Sequence, residues 1–458
     1  MPTRPQRVVV VGGGAGGFAA AFCAARLGAL VTVIERDQQL GGTAVTGGVC
    51  HWEPGVGGTG IAHDIYRALR RRRQAGIYGL GRHCCAEQAE LRDYPGGEHP
   101  LVPGRGYHHT LRRCGTPRGA GYPYAWGRRH WFGVSFTPAA MATTMHRMAR
   151  GAGCRLMLGR SVDSVRRASD AVTDVVLDQG DVIPADWLID ATGSAHIAAL
   201  AGCERRSGRE AQADFSEPSA PPLASTQRNG VTVMLRVTPR HHEGRDPLDA
   251  SIPPQCWWRE HFPAISAVEL PDRSWSINML PSMDGCEALA LGEAAARHEC
   301  LRRAQACWHH LQTRVPAFRR MQLCAVAPRL GIREAERVIA RYTLTEHDLH
   351  RPCNAHDDVI AVGDHPPDTH GHQAAHGELA APYGIPLRCL QSPYHTNLLI
   401  ASSAAGFSAI AASSARLTRS VMQLGQAAGT ACALARAPGR LPCVLVVQRS
   451  LAAQGVVL

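Results

Sequence analysis

The chain has 458 residues, 45% apolar and 19% charged, which is the composition of an ordinary folded protein. This length exceeds what one hydrophobic core commonly supports and predicts two or three structural parts. The formal charge of +11 comes from 49 basic against 38 acidic residues. Every basic residue is arginine, which excludes a Schiff-base lysine, and the surplus favours anionic ligands.

Several classes of partner are not indicated by the sequence. It contains no apolar run that could span a bilayer and no signal-peptide pattern, so we expect a cytoplasmic protein with no membrane partner. The basic run 70–73 lacks nucleic-acid motifs and is interpreted as a solvated helix face, with no nucleic-acid partner. The 16 cysteines include no C-x-x-C pair, which fits reduced thiols. We predict no metal site and interpret His365, His370 and His372 as loop histidines.

The N-terminal residues have the order of a Rossmann unit. The β-branched run 8–11 is typical of a buried parallel strand, and the sequence GGGAGG follows directly at 12–17. Three of these glycines fit G-x-G-x-x-G, in which the first forms the turn, the second admits a pyrophosphate and the third lets a helix approach the strand. We therefore predict dinucleotide contacts from Gly12, Gly14, Ala15, Gly16 and Gly17.

Glu35 ends the second predicted strand, 30–34, eighteen residues after Gly17. This spacing suits a carboxylate that accepts hydrogen bonds from the ribose hydroxyls of an adenosine. A short glycine-containing loop follows, a layout common in flavoproteins, where glycines let the backbone lie along an extended FAD. The sequence therefore favours FAD over NAD and predicts further cofactor contacts from Arg36, Gly41, Gly42 and Thr43.

Two later segments belong with this unit. A strand at 155–158 precedes a β-rich stretch that begins at Val162, and a second strand at 187–190 runs into Ala-Thr-Gly. This motif is similar to the Ala-Thr-Gly turn of glutathione-reductase-like flavoproteins, where the backbone turns beside the cofactor. The predicted cofactor contacts here are Val162, Ala191, Thr192 and Gly193.

Four stretches carry a more specific resemblance: 41–60 (GGTAVTGGVCHWEPGVGGTG), 190–202, 331–348 (GIREAERVIARYTLTEHD) and 422–430 (MQLGQAAGT). The chain resembles FAD-dependent oxidoreductases related to the flavoproteins of fumarate reductase and succinate dehydrogenase and, more distantly, heterodisulfide-reductase-A-like proteins. The resemblance implies FAD bound by three separated segments with substrate over the isoalloxazine. Relatives usually carry Gly and then a polar or charged residue where this chain has Ala401-Ser402.

The expected fold class is α/β, a discontinuous Rossmann-type FAD-binding domain with an inserted α+β substrate domain. The predicted FAD-binding segments are 1–60, 136–203 and 331–440. The predicted remainder is a helix with irregular cover over the site at 61–135, the substrate domain at 204–330, and a tail at 441–458 with a strand-like run at 441–447.

Candidate catalytic residues follow the glycine loop. Cys50 and His51 offer a nucleophile and a proton carrier, although a buried apolar thiol and a hydrogen-bonded loop histidine are equally ordinary interpretations. Arg333, beside Glu334, matches a family motif and is predicted to clamp a carboxylate, to contact the cofactor, or to pair with that glutamate. Arg416 matches a family arginine by spacing, with a salt bridge as the alternative.

Three further residues are predicted to contact the cofactor. Asp364 follows a buried strand, at a position that could reach the flavin or its ribityl chain. By resemblance, Gly425 and Gln426 lie on a helix whose N-terminus points at the flavin. His370 is a weaker candidate for relaying a proton.

Three functions remain open from the sequence. The preferred one is a dehydrogenase or reductase that transfers a hydride between flavin and a small organic substrate, anionic or neutral, with an external electron donor or acceptor as its partner. The second is a flavin monooxygenase that uses NAD(P)H and oxygen. The third is an electron-transferring subunit of a larger complex. We find no second Rossmann G-x-G-x-x-G unit and no redox-active cysteine pair, which disfavours a nicotinamide-disulfide reductase.

Overall fold

The computed structural model describes residues 4–52, 56–78, 81–85, 91–94, 133–259, 264–369, 379 and 381–458. Its helices are α1 (Ala15–Arg26), α2 (Ile61–Arg71), α3 (Pro138–Gly151), α4 (His196–Leu200), α5 (Gln212–Phe215), α6 (Gly285–Leu291), α7 (Glu293–Arg314), α8 (Glu346–Leu349), α9 (Ala409–Ala415), α10 (Thr418–Ala433) and α11 (Val444–Ala453). Short 3-10 turns are Gly42–Ala44, Pro316–Arg320 and Leu387–Leu390.

The strands fall into several separate sheets. In chain order they are β1 (Arg7–Val11), β2 (Leu30–Glu35), β3 (His51–Trp52), β4 (Ala75–Tyr78), β5 (Gly81–Cys85), β6 (Leu91–Tyr94), β7 (Gly133–Phe136), β8 (Arg155–Leu158), β9 (Val162–Ala168), β10 (Ala171–Leu177), β11 (Val182–Pro184), β12 (Trp187–Asp190), β13 (Arg205–Arg206), β14 (Val231–Thr232), β15 (Met234–Pro239), β16 (Ala264–Glu269), β17 (Trp275–Leu280), β18 (Met321–Val326), β19 (Gly331–Ile332), β20 (Arg337–Val338), β21 (Val359–Gly363), β22 (Tyr383–Pro386) and β23 (Leu398–Ile400).

A parallel sheet with the order β23-β12-β1-β2-β8 forms the base of the predicted FAD-binding part. Its central strand pairs Val8 with Trp187 on one side and with Val31 on the other. Since a strand covered on both faces needs no polar alternation, β1 is an unbroken run of valine after its first residue. The carboxyl ends of β1, β2 and β12 therefore meet at one edge, and the expected Rossmann-type α/β fold is confirmed.

Helix α10 lies unusually close to helix α1. A Cβ atom added to Gly425 would be 1.9 Å from the carbonyl oxygen of Gly16, and one added to Gly429 would be 2.1 Å from that of Ala20. Glycines four residues apart on one helix face thus let the two backbones touch. This contact joins the end of the chain to its first Rossmann helix.

The second large sheet is antiparallel in its described pairings and has the order β18-β15-β17-β16-β5-β6. Leu235 and Ile277 on one face pack in a core with Cys300, Ala304 and Trp308 of helix α7. The opposite face is also buried but partly polar, and it carries Met234, Ser266, Ser276 and Asn278. This sheet and helix form the expected inserted α+β part.

The segment 61–135, predicted as a helix with irregular cover, is described only in part. The helix is present as α2, and the described stretches 75–78, 81–85, 91–94 and 133–135 are strand, whereas residues 95–132, which hold most of the predicted cover, lie outside the described residues. Strand β5 pairs with β16 and β6 pairs with β5, which extends the antiparallel sheet, whereas β4 and β7 form a small sheet with β3. These strands arise from pairing across long sequence separations, which a local pattern does not reveal.

The C-terminal apolar run 441–447 is not a strand, so that prediction is wrong. Helix α11 begins at Val444, and Val447 and Leu451, four residues apart, are both fully buried. The apolar residues therefore follow helical spacing. Among the described residues, no helix combines the length and the apolar content needed to cross a bilayer.

Candidate functional site

The glycine turn after β1 is packed as a Rossmann turn requires. Gly12 has a φ of +97°, and a Cβ atom there would lie 2.7 Å from the carbonyl oxygen of Ala191. A Cβ atom on Gly17 would lie 1.7 Å from the carbonyl oxygen of Gly12. A side chain at Gly16 would likewise meet the carbonyl oxygen of Ala401, at 2.0 Å. These three glycines are needed for backbone packing.

Gly14 is different, because it faces space rather than packed backbone. Its added Cβ atom would meet only the Cα atom of Gly42, at 3.9 Å. The loop with Gly41 and Gly42 is held to the turn by the Gly41 amide, which donates to the carbonyl oxygen of Gly13 at 2.8 Å. Two glycine backbones therefore face each other at the N-terminus of α1, a cradle without side chains beside the first backbone amides of the helix. This cradle fits the pyrophosphate of FAD.

A Gly14→Ala variant tests the cradle separately from the fold. We expect its unfolding free energy to stay within about 1 kcal/mol of the parent, because the new methyl group meets no packed atom. We expect FAD affinity to fall about tenfold or more, since the methyl group enters the space assigned to the pyrophosphate. Flavin fluorescence titration and thermal melting of the apoprotein measure the two quantities. Unchanged affinity would show that the pyrophosphate lies elsewhere.

Glu35 occupies the edge of the sheet next to the glycine turn. Its carboxylate accepts from the amide of Gly13 at 2.5 Å and from that of Asp37 at 2.9 Å. Burial raises the pKa of Glu35, and the two amide bonds oppose that rise. Arg36 is exposed, whereas Asp37 forms an ion pair with Arg329 at 2.5 Å. The ribose contact predicted for Glu35 and the contact predicted for Arg36 stay predictions.

The Asp-Ala-Thr-Gly turn after β12 lies beside Gly12. Asp190, fully buried, accepts from both the hydroxyl and the amide of Thr192, at 2.6 and 2.9 Å. Burial raises the pKa of Asp190, against the hydrogen bond from Thr192. Gly193 is exposed with no atom within 4 Å of an added Cβ, and Val162 begins β9 as a buried residue. The Asp190 carboxylate thus fixes the turn through Thr192, and the space around Gly193 is not filled by other protein atoms.

Gly425 and Gln426 lie in the middle of α10 and have structural partners. Gly425 contacts α1, as described above, and the Gln426 side chain accepts from the amide of Ile61 at 3.0 Å. It thereby caps helix α2, which follows a second stretch with G-x-G-x-x-G spacing, GVGGTG at 55–60. That stretch is not a Rossmann turn, because the preceding strand β3 pairs antiparallel in another sheet and a side chain at Gly60 would meet Gln426.

Asp364 is buried in an ion pair. Its carboxylate accepts from Arg419 at 2.6 Å and from the amide of Val56 at 2.9 Å, and Arg419 also donates to the carbonyl oxygen of Val56. Asp364 and Arg419 are 0% and 1% exposed. Asp364 thus ties the loop at Val56 to the start of α10, and its predicted flavin or ribityl contact stays a prediction.

Cys50 and His51 lie where the glycine loop meets the small sheet. The Cys50 thiol is buried and donates to the carbonyl oxygen of Gly48 at 3.1 Å, and burial raises the pKa of Cys50 to about 12. A neutral thiol is a poor nucleophile, so the geometry favours the apolar role for this cysteine. His51 is 3% exposed and its strand pairs with Ser135. It remains the candidate proton carrier.

A Cys50→Ala variant is expected to keep its FAD and to leave the pH profile of turnover unchanged between about pH 6 and pH 9, a window that spans the ordinary thiol pKa of about 8.5. The reason is that a thiol whose pKa is about 12 does not ionise in this window. Steady-state rates of both proteins across the window provide the measurement. The loss of an ionisation step from the profile of the variant would restore Cys50 as a chemical residue.

Arg333 does not form the ion pair that its neighbour in sequence offered. Its guanidinium donates to the carbonyl oxygen of Gly230 at 3.0 Å and to the Asn278 side chain at 3.4 Å. Glu334 instead pairs with Arg337 at 2.6 Å and accepts from the amide of Asn229 at 2.8 Å. Burial raises the pKa of Glu334, and the charge of Arg337 opposes the rise.

The structure connects Arg416 to the segment of Arg333 through Asn229 and Asp368. Neither of these linking residues was a candidate from the sequence. Arg416 pairs with Asp368 at 2.8 Å, and the backbone carbonyl of Asp368 accepts from the Asn229 side chain at 2.8 Å. Asn229 thereby links the segments of Arg333 and Arg416. Asp368, four residues after Asp364 in the same loop, was the one sequence signal available. His370 and His372 lie outside the described residues, and His365 is buried against the carbonyl oxygen of Pro366.

The parallel sheet, glycine cradle and edge carboxylate define the class of protein as a dinucleotide-binding flavoprotein. The chain belongs to the FAD-dependent oxidoreductase family, whose family model, described as FAD dependent oxidoreductase, matches residues 7–452. It is therefore an oxidoreductase that uses FAD as its cofactor. A search of curated proteins finds no sequence match.

Among solved structures, the chain is similar to an L-amino acid deaminase from Proteus vulgaris, with 11% identity, a TM-score of 0.48, and coverage of 94% of this chain and 93% of that one. A geranylgeranyl bacteriochlorophyll reductase-like protein from Thermoplasma acidophilum has 11% identity, a TM-score of 0.48, and coverage of 99% and 84%. A p-nitrophenol 4-monooxygenase from Pseudomonas putida has 14% identity, a TM-score of 0.43, and coverage of 75% and 70%. The reactions of these proteins differ from one another.

Proposed function

We propose that this oxidoreductase transfers a hydride between FAD and a small organic substrate that carries a carboxylate. The observation that carries the proposal is the partly polar face of strand β17. The Ser276 hydroxyl on this face donates to the carbonyl oxygen of Gly48 at 3.2 Å, and the Asn278 side chain accepts from Arg333 at 3.4 Å. Strand β17 thus connects the loop at Gly48, which follows the glycine cradle, to Arg333.

The separation along this strand suits a small molecule. Ser276 and Asn278 are two residues apart, which is about 7 Å in an extended strand. A substrate whose carboxylate lies at Arg333 could therefore place a neighbouring carbon beside the segment of Gly48 and His51. Arginine suits this task because its planar fork matches a carboxylate in a bidentate geometry.

Each proposed role belongs to a described residue. Gly14, Gly42 and the first turn of α1 would hold the pyrophosphate, and Glu35 would hold the ribose. When bound, FAD supplies the hydride chemistry. Arg333 would orient the substrate, and Asn278 with the Gly230 carbonyl would fix the guanidinium. His51, buried on β3, would carry a proton to or from the substrate.

The test is anaerobic reduction of the flavin, followed by its visible absorption, with a panel of small hydroxy acids, amino acids and dicarboxylic acids. The matched methyl esters serve as uncharged controls. We expect one class of acid to bleach the flavin and its ester to do so poorly. NAD(P)H oxidation that requires both an organic substrate and oxygen would replace this proposal with a monooxygenase. The absence of any bleaching would favour an electron-transferring subunit.

An Arg333→Met variant is expected to raise KM for the acid that bleaches the flavin by roughly tenfold to a hundredfold, with a smaller change in kcat. This range corresponds to the loss of a charged hydrogen bond of about 1.5–3 kcal/mol. Arg333→Lys keeps the charge but loses the planar fork of the guanidinium, so its KM should lie between those of the parent and Arg333→Met. Steady-state kinetics provide the measurement. An equal rise in KM for the methyl ester would show that Arg333 does not recognise the carboxylate.

A further inference from the structure

A basic surface at the end of helix α2 has no role in the site described above. We call it the arginine face, and its members are Arg70, Arg71, Arg72, Arg73, Arg147 and Arg150. The first four are exposed, and helix α3 contributes the other two. Neither 65–78 nor 137–155 contains an aspartate or a glutamate. Burial lowers the pKa of Arg147, and the nearby positive charge of Arg72 lowers it further. Like charges of the two helices therefore lie close together.

Two classes of anionic partner fit this face poorly. A membrane-surface helix inserts its apolar side into lipid, but Ile61, Ile65 and Leu69 of α2 are buried within the protein. Single-stranded nucleic acids stack on exposed aromatic rings. Tyr66, the aromatic residue of α2, is 9% exposed and has the guanidinium of Arg70 5.8 Å from its ring centre.

The arginine face lies next to the segment of Cys50 and His51. Strand β4 begins two residues after Arg73, and Ala75 pairs with Phe136 of β7. The amide of Phe136 donates to the carbonyl oxygen of Cys50 at 3.0 Å. Since neighbouring strands are about 4.8 Å apart, β4 and β3 on either side of β7 are separated by roughly 10 Å. The charged surface is therefore close to the proposed place of hydride transfer.

We propose that the arginine face docks an acidic one-electron carrier protein, which exchanges electrons with FAD. A flavin enzyme of this family must pass electrons to or from a second reactant, and the complementary charge would steer that carrier to this surface. Reduction of one FAD takes two electrons, one from each of two carrier molecules, and the accompanying proton comes from water. The position of the flavin beside His51 rests on the proposed function.

The probe is a reduced plant-type [2Fe–2S] ferredoxin, an acidic carrier whose potential of about −400 mV is low enough to reduce a flavin. Stopped-flow mixing without oxygen gives the second-order rate of flavin reduction, and calorimetric titration with oxidised ferredoxin gives the affinity. The test variant combines Arg70→Gln, Arg71→Gln and Arg72→Gln. The control combines Arg314→Gln, Arg436→Gln and Arg440→Gln, exposed arginines on other elements.

We expect the test variant to lose about tenfold or more in rate and affinity at low ionic strength, and the control to lose little. Added salt should slow the parent and leave the test variant nearly unchanged. Equal rates of flavin reduction for the test and control variants would overturn the proposal. It would also be overturned if these arginines were needed for binding duplex DNA but not for binding ferredoxin. Bleaching of the flavin by organic acids is measured without ferredoxin. A failure of the proposed function is therefore distinguished from a failure of carrier docking.

Discussion

Replacing Gly425 by alanine is expected to destabilise the protein by about 3 kcal/mol or more, which lowers the melting temperature of a chain of this length by roughly 3 °C or more. The added methyl group would lie 1.9 Å from the carbonyl oxygen of Gly16, so helix α10 must move away from helix α1. Because α1 begins at the glycine cradle, we also expect weaker FAD binding. Thermal melting and flavin content after purification measure both effects.

Gly151→Ala is the matched control for this prediction. Gly151 is also helical, at the last position of α3, but its added Cβ atom meets nothing within 4 Å. Alanine there should be neutral or slightly stabilising, since it reduces the freedom of the unfolded chain. If Gly425→Ala melted and bound FAD as the control does, close contact between α1 and α10 would not be needed for the fold.

Removing Arg419 is expected to cost about 3–5 kcal/mol, because it leaves the carboxylate of Asp364 buried without its cation. Asp364 is 0% exposed, so water cannot replace the lost guanidinium without opening the structure. The loop at Val56 should loosen as well, since the pair binds both its amide and its carbonyl oxygen. Denaturant unfolding of Arg419→Met measures the stability, and limited proteolysis reports on the loop.

The double variant Asp364→Asn/Arg419→Met tests the reason given for this loss. Removing both charges avoids the isolated carboxylate, so the double variant should be more stable than Arg419→Met alone. Asp364→Asn alone should also destabilise, because it leaves the guanidinium buried. Effects that simply add in the double variant would contradict a direct ion pair between these residues.

Local patterns predicted the Rossmann unit well. The valine run of β1, the glycine turn and Glu35 each act on neighbours within one β-α-β unit, so their spacing carries the information. Patterns of long-range pairing were less visible. Strand β5 needs β16 as its pairing partner, and the helix at 444–453 depends on the core that receives Val447 and Leu451. Neither partner can be inferred from a short window of sequence.

The candidate site shows the same division. Arg333 and Arg416 were predicted from motifs, but their partners were not, because Asn278 and Asp368 come from other segments of the chain. Gln426 belongs to a motif that suggested a flavin contact, and the fold places its side chain on the amide of Ile61. A motif specifies a residue type at a position, whereas its hydrogen-bond partner depends on which distant backbone lies opposite.

By itself, the sequence determined that a dinucleotide is bound, since glycines at a fixed spacing and a carboxylate after the next strand are a local physical requirement. It also determined, through the family motifs, that the dinucleotide is FAD. Only the tertiary structure decided that Asp364 is neutralised by Arg419, that Glu334 pairs with Arg337, and that β17 links Gly48 to Arg333. Charges buried together must be paired, and the pairing follows from packing over long sequence separations.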